Sequence, residues 1–302
     1  MHKYKIIVAS FFFVSLSLLA QESEIADKGK LKKGLLERMV QPKVSLDSSY
    51  LSDADVKDAA GGSVAVTKNR IQLNNAIGGI SYTNWSFLWN NVAGLPFGNG
   101  VDAPIKQMHS LKLNANIPYF INENWFLLTS LSLNTTFEKE MKDSYGAGIF
   151  TFASYKIDEE HSIQMGAFAN YHPVSTLALP VISYSYRARQ TDGFQVVLGF
   201  PRAYVGYFIN DATLVRGGMI FSQSVIKLSD ESVVEKSGYI EAKDYMSNFG
   251  LTYELTPSFT IDADILYSLK RDFIIYNSAG DEQQSYSIDP SFGLNLRLRY
   301  LF

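Results

Sequence analysis

The 302-residue chain contains no cysteine. That excludes disulfide frameworks, thiolate zinc and iron–sulfur sites, thiol catalysis and acylation at a cysteine. Histidine is scarce: only His2, His109, His161 and His172 occur. No sign of charge dominates, with 27 Lys and Arg against 30 Asp and Glu and a net charge of -3. That balance leaves no basic footprint for nucleic acid. Past the first 20 residues no run is apolar enough for a membrane helix. Phosphate loops are missing too. Gly61–Gly62, Gly78–Gly79 and Gly217–Gly218 lack the following helix with Lys and Ser/Thr. Paired glycines in strands permit bends or close packing instead. What the chain has is aromatic residues, 20 Phe and 18 Tyr, which favour strands. With 46% hydrophobic and 19% charged residues, the composition fits a large all-β protein.

The N-terminus reads as a secretory signal peptide over residues 1–20. Lys3 and Lys5 supply the charged start, Ile6–Leu19 the apolar run, and Ala20 the small residue before Gln21–Glu24. Some 14 apolar residues are too few for a membrane anchor. Residues 21–42 form a charged periplasmic lead-in ending at Pro42. A short helix over Leu31–Val40 would make it a plug or partner segment. Its few aligned apolar residues favour a simple tether.

From residue 43 onward, period-two alternation recurs in segments of about ten residues, the signature of transmembrane β-strands. In Ser258–Phe273, the residues Phe259, Ile261, Ala263, Ile265, Tyr267 and Leu269 point one way, while Thr260, Asp262, Asp264 and Lys270 point the other. The same pattern runs through 124–137, 145–155 and 163–171. The final strand is the most specific. Phe292, Leu294, Leu296, Leu298, Tyr300 and Phe302 make an unbroken apolar face that stops on the last residue, opposite Gly293, Asn295, Arg297 and Arg299.

Strands are expected near 43–51, 63–74, 78–90, 107–120, 124–138, 143–157, 161–172, 177–189, 193–200, 202–209, 212–227, 238–255, 258–273 and 286–302. Short connections such as Asn75–Ile77, Ile121–Glu123 and Asp158–Glu160 alternate with long ones such as Asn91–Lys106 and Ser229–Ser237. The tight connection at Pro201 breaks that rule. The expectation is a single antiparallel transmembrane β-barrel over residues 43–302, of about fourteen strands. Merging the pair around Pro201 gives twelve.

The mature chain resembles the uncharacterised outer-membrane β-barrel families of Gram-negative bacteria, domains of unknown function of about 300 residues. The residues carrying the resemblance are Gly61–Gly62–Ser63, the hairpin Ile117–Trp125, Leu179–Pro180, Gly199–Phe200–Pro201 and the terminal Arg297–Phe302. The resemblance implies an outer-membrane location, with lipid and the barrel-assembly machinery as partners. Tyr300 and Phe302 resemble the signal that machinery reads. It supplies no cofactor, metal, catalytic or ligand residue.

Antiparallel pairing of the last two strands sets Asp262 and Asp264 roughly opposite Arg299 and Arg297, with Glu254 near Thr260 on the preceding strand. This charge cluster reads either as a constriction that orders small solutes or as a salt-bridged wall filling the lumen. An enzyme would need a base beside a nucleophile. His109 and Ser110 are the nearest pair, but neighbours on a strand face opposite sides. Asp158–His161 as a weak cation site and Asp53, Asp55 and Asp58 as a cation comb both read better as solvated turns and loops. Trp85 and Trp89 are expected in an aromatic membrane belt with Tyr119 and Trp125. Two functions remain open: a passive pore or small-solute conduit, and a structural or binding barrel presenting loops. An enzyme is the third and weakest reading.

Overall fold

The computed structural model describes residues 41–57, 60–187, 193–199 and 202–302. The expected signal peptide, nearly all of the lead-in, Asp58, the 190–192 turn and Pro201 lie outside the described residues.

The alternation seen in sequence becomes fifteen strand segments: β1 (Lys43–Asp55), β2 (Ser63–Asn74), β3 (Gly78–Asn90), β4 (Gln107–Phe120), β5 (Trp125–Phe137), β6 (Tyr145–Lys156), β7 (His161–Tyr171), β8 (Leu177–Arg187), β9 (Gly193–Gly199), β10 (Arg202–Asn210), β11 (Thr213–Lys227), β12 (Tyr239–Thr256), β13 (Phe259–Tyr276), β14 (Glu282–Ile288) and β15 (Ser291–Leu301). β14 and β15 both pair with β13 and are two halves of one strand interrupted at Asp289–Pro290. Each strand pairs antiparallel with its neighbour in sequence. The first then pairs with the last, from Lys43 opposite Leu301 to Leu51 opposite Gly293. The circuit is a closed fourteen-stranded barrel. β9 and β10 are separate strands, with Val197 opposite Tyr204, so the twelve-strand count is wrong.

Short turns keep the register. In four of the five described turns at the periplasmic end, an Asn or Asp side chain accepts a hydrogen bond from the backbone N–H two residues on, and in three of them also from the N–H three residues on. Asn75 Oδ1 accepts from Ile77 and Gly78, and Asn122 Oδ1 from Asn124 and Trp125. Asp158 does the same for Glu160 and His161, so this carboxylate organises its own turn. Asn210 Oδ1 accepts from Ala212 at 3.0 Å. Side chains that mimic a backbone turn let two strands reverse within a few residues.

The outward face is greasy around the circuit. Leu133 is 62% exposed, Ile182 66%, Phe249 62% and Phe292 65%. A continuous exposed apolar girdle on a closed barrel is a lipid-facing surface. The chain is an outer-membrane β-barrel. At the periplasmic rim Trp125 packs on Tyr155 at 4.8 Å, His161 on Tyr186 at 5.0 Å, and Tyr300 against Phe302 at 5.0 Å. That is an aromatic belt.

The extracellular end departs from a simple cylinder. The tops of β5 and β11, on opposite sides of the barrel, meet in parallel at Phe137 and Lys227. The Glu138 N–H donates to the Lys227 carbonyl at 2.9 Å, and the Ser229 N–H to Glu138 Oε2 at 2.9 Å. The mouth is pinched across its diameter. On the β11–β4 side of the pinch, the inner face becomes a dry core of Ala54, Val56, Val64, Trp89, Phe97, Ile105, Met108, Ile226, Leu228, Ile240, Phe273, Ile275 and Ile288. Trp89 donates from Nε1 to the Ile105 carbonyl at 2.7 Å and meets Phe97 edge-on at 5.6 Å. Trp85, Phe87 and Trp89 therefore point inward, not into a lipid belt as the sequence suggested. The rule that aromatics near a strand end meet the membrane fails here because the inner face of the mouth is itself apolar.

On the other side of the pinch, the β7–β8 connection packs over β12. His172 is 3% exposed and stands edge-on to Tyr239 at 5.5 Å, with the Tyr239 hydroxyl donating to the Asp143 carbonyl at 3.1 Å. Burial pushes the His172 imidazole down to about 4. The unfolded segment therefore binds the proton first as pH falls, and the contact weakens between about pH 6.5 and 4. Two outcomes are expected. Protection factors of the amides across residues 172–176, referred to the intrinsic exchange rate at each pH, should fall at least tenfold between pH 7.5 and pH 4.5, and His172→Gln should flatten that fall. Trp89→Ala should lower barrel stability by about 3 kcal/mol in denaturant unfolding, as for a large buried aromatic.

Candidate functional site

Below the dry core the lumen is charged. Alternation places Arg216 of β11 and Asp262 and Asp264 of β13 on inward faces of the same wall. Arg216 Nη2 lies 3.0 Å from both carboxylate oxygens of Asp264, and its Nη1 lies 3.5 Å from Asp262. Arg299 Nη2 donates to Asp262 Oδ1 at 2.9 Å, and Thr252 donates to the same oxygen at 2.6 Å. Asn248 and Asn295 complete the shell of Asp264, at 3.2 Å and 3.3 Å. Arg297 turns the other way, its Nε 2.5 Å from Asp47 Oδ2 on β1. Asp262 is fully buried and Asp264 is 8% exposed, so each carboxylate depends on these partners.

The structure brings together three of the five residues singled out from sequence, Asp262, Asp264 and Arg299, while Arg297 pairs with Asp47 instead. It sets Asp262 opposite Arg297 and Asp264 opposite Asn295. The pairing is two residues out of step with the expected one: Phe273 stands opposite Tyr286, a register that already sets Asp262 against Arg297, and the strands run on to Tyr276 and Glu282 without changing it. Arg299 still reaches Asp262 on the diagonal. Glu254 does not join. It pairs with Thr260 as expected but stands exposed at the periplasmic end of β12.

Arg216, Asp47 and Arg70 were missed. Asp47 and Arg70 are opposite each other on β1 and β2, and Asp47 is opposite Arg297 across the closure. Pairing the first strand with the last on paper would have found that contact. Arg216 needs the full β11–β12–β13 register. Further round the wall Lys68, Lys112, Arg187 and Arg202 also occupy inward positions, with Asp244 and, at the periplasmic end, Glu254 as further acids on that face. Basic groups thus outnumber acidic ones inside a chain whose net charge is -3. Arg271, 2% exposed, donates from Nε to Asp244 at 2.7 Å, while its Nη1 and Nη2 have no partner among the described residues.

Elsewhere the geometry offers little for catalysis or metal binding. His109 faces outward, with Nδ1 2.7 Å from the Tyr82 hydroxyl, whereas Ser110 faces inward and accepts from Thr136 at 2.9 Å. Asp53 accepts from Ser63 at 2.7 Å within the β1–β2 hairpin. Among the described residues no group of three His, Asp or Glu side chains is arranged to hold a metal ion.

No protein-family model matches the chain, and no curated protein matches it. Several solved structures share a likeness of fold. The KdgM porin in complex with disordered oligogalacturonate is 9% identical, with 85% of this chain and 99% of that chain covered and a TM-score of 0.36. An outer membrane channel from Pseudomonas putida F1 is 11% identical over 87% and 96%, with a TM-score of 0.44. A Pseudomonas aeruginosa FadL homologue is 8% identical over 86% and 90%, with a TM-score of 0.42. At these values the likeness carries no argument about what this barrel transports.

Removing a carboxylate from this network leaves buried guanidinium groups uncompensated. Asp262→Ala should destabilise the barrel by about 3 kcal/mol in denaturant unfolding, in line with breaking a buried pair. Glu254→Ala, outside the network, should be neutral within about 0.5 kcal/mol.

Proposed function

We propose that this barrel is a passive conduit for small anionic solutes rather than an enzyme. The observation that carries the reading is the basic excess on the inward face of an otherwise acidic chain. Charge lining a low-dielectric channel concentrates counter-ions and sets selectivity. Arg216 sits between Asp262 and Asp264, so the network holds its cation in place while the neighbouring Lys68, Arg70 and Lys112 wall raises the local positive potential. The dry core closes the mouth over β11–β4, so passage runs along the β5–β10 side. Tyr300 and Phe302 are exposed on the lipid face at the end of β15, where the barrel-assembly machinery would read them as its signal.

A second reading has its own support. The pinch between β5 and β11 and the dry core favour a closed barrel that presents its outer surface and loops to partners.

Planar-bilayer recording of the refolded mature chain separates the two. The conduit should give discrete conductance steps with a reversal potential on the chloride side under a KCl gradient. Arg70→Gln with Lys112→Gln should shift that potential toward potassium, and Asp264→Asn should shift it further toward chloride. Conductance without either shift would overturn the anion reading. A folded barrel that stays electrically silent would overturn the conduit itself and favour the closed, loop-presenting barrel.

A further inference from the structure

The barrel wall is not of even height. β9 holds seven residues and β10 nine, whereas their neighbours β8 and β11 hold eleven and fifteen. Pairing between β8 and β9 runs only from Arg187 up to Ser183, opposite Gly199. Pairing between β10 and β11 stops at Arg202 opposite Ile220. Above those points, 177–182 of β8 and 221–226 of β11 have no strand partner on the side facing each other among the described residues.

The height of the step follows from the aromatic belt. Tyr186, at the belt, is opposite Val196, and Gly199 is three residues higher. At about 3.3 Å per residue and a tilt near 40°, the described top of β9 lies about 8 Å above the belt. The apolar band of such barrels is about 25 Å tall. The step therefore falls within the hydrocarbon, and the wall above it faces the outer leaflet.

Three features show how the step is filled. Phe221 shares the face on which Met219 is 54% exposed to lipid, yet Phe221 is 3% exposed. Across the step, Leu177 and Val181 on the inward face of β8 are equally buried. Pro180, without an N–H, sits in the stretch of β8 that has lost its neighbour, where the ladder needs no donor. Among the described residues no backbone ladder joins β8 to β11 across this seam, and Phe221, Leu177 and Val181 at its edges are buried. Below it, Arg202 stands at the sill with its guanidinium 4.7 Å over Tyr204. The wall leading to it from β6 and β7 carries inward Phe150 and Phe168, directly opposite each other.

We propose that this seam is a lateral exit, through which an anion with an alkyl tail passes between the basic lumen and the outer leaflet. The proposal rests on the conduit reading. The charged head is matched by Arg202 and the lumen cations, the tail by the phenylalanine wall and the apolar seam. The pinch and dry core narrow the axial mouth to its β5–β10 side, which passes chloride but turns a bulky alkyl tail toward the seam. Separating β8 from β11 there breaks no backbone ladder, since none joins them among the described residues.

The chain's lack of cysteine makes the test clean. Leu179→Cys with Val225→Cys places one thiol on each side of the seam, to be bridged by a flexible bis-maleimide and checked by mass spectrometry. The readouts are chloride conductance and transfer of a fluorescent decyl sulfate across phosphatidylethanolamine–phosphatidylglycerol vesicles. Bridging should slow decyl sulfate transfer at least tenfold and leave chloride conductance within twofold. Phe221→Ala, which needs no bridge, should speed transfer at least threefold. A conducting barrel that does not transfer decyl sulfate, or transfers it at rates untouched by Phe221→Ala, overturns the lateral exit while the conduit reading stands. Absence of chloride conductance in the unmodified barrel overturns the conduit reading itself.

Discussion

A chain crossing hydrocarbon must satisfy its backbone N–H and C=O groups within itself, because lipid offers none in exchange. For strands this means closure, and here closure is the contact of β1 with β15. Much of the molecule depends on that seam. It turns a sheet into a wall with an inside, and sets Asp47 against Arg297. The β11–β12–β13–β15 register in turn aligns Asp262 to receive both Arg299 and Arg216. The outer face can then be apolar without cost, since lipid is its solvent, and the inner face can hold charge because cation and carboxylate are brought within reach.

The same constraint sharpens the two irregularities. At the pinch, β5 and β11 satisfy exposed strand tops against each other, and side chains from both surrounding strands and the 91–106 connection fill the space with a dry core. At the short β9–β10 pair the opposite happens: a stretch of ladder is left unmade inside the apolar band. One device narrows the axial mouth and the other interrupts the ladder of the wall beside it. A charged lumen with a narrowed top and an interrupted ladder is a different object from an open cylinder, although both have fourteen strands.

Most of the wall was legible in sequence because a strand's side-chain period is two and each face meets a different solvent. Thirteen expected strands match observed ones closely, and the fourteenth appears as β14 and β15 with a break at Pro290. Inward Asp262, Asp264, Arg297 and Arg299 follow from that period alone. Their pairing did not, since a two-residue slip of one strand against the next leaves the alternation of both unchanged. Trp85, Phe87 and Trp89 were misassigned for a related reason: alternation says which residues share a face, but not whether that face meets lipid or a dry core.

The sequence by itself determined the fold class, the strand count to within one hairpin, the polarity of the wall and the apolar terminal strand ending in Phe302. These are local properties, written in each segment's alternation and in turn residues such as Asn75, Asn122 and Asp158. Only the tertiary structure decided that Arg216 bridges Asp262 and Asp264, that Lys227 meets Phe137 across the barrel, and that β8 and β11 stand unpaired above β9–β10. Each of those depends on residues far apart in the chain being brought together by closure and register, and no local pattern encodes a distance between strands that are not neighbours.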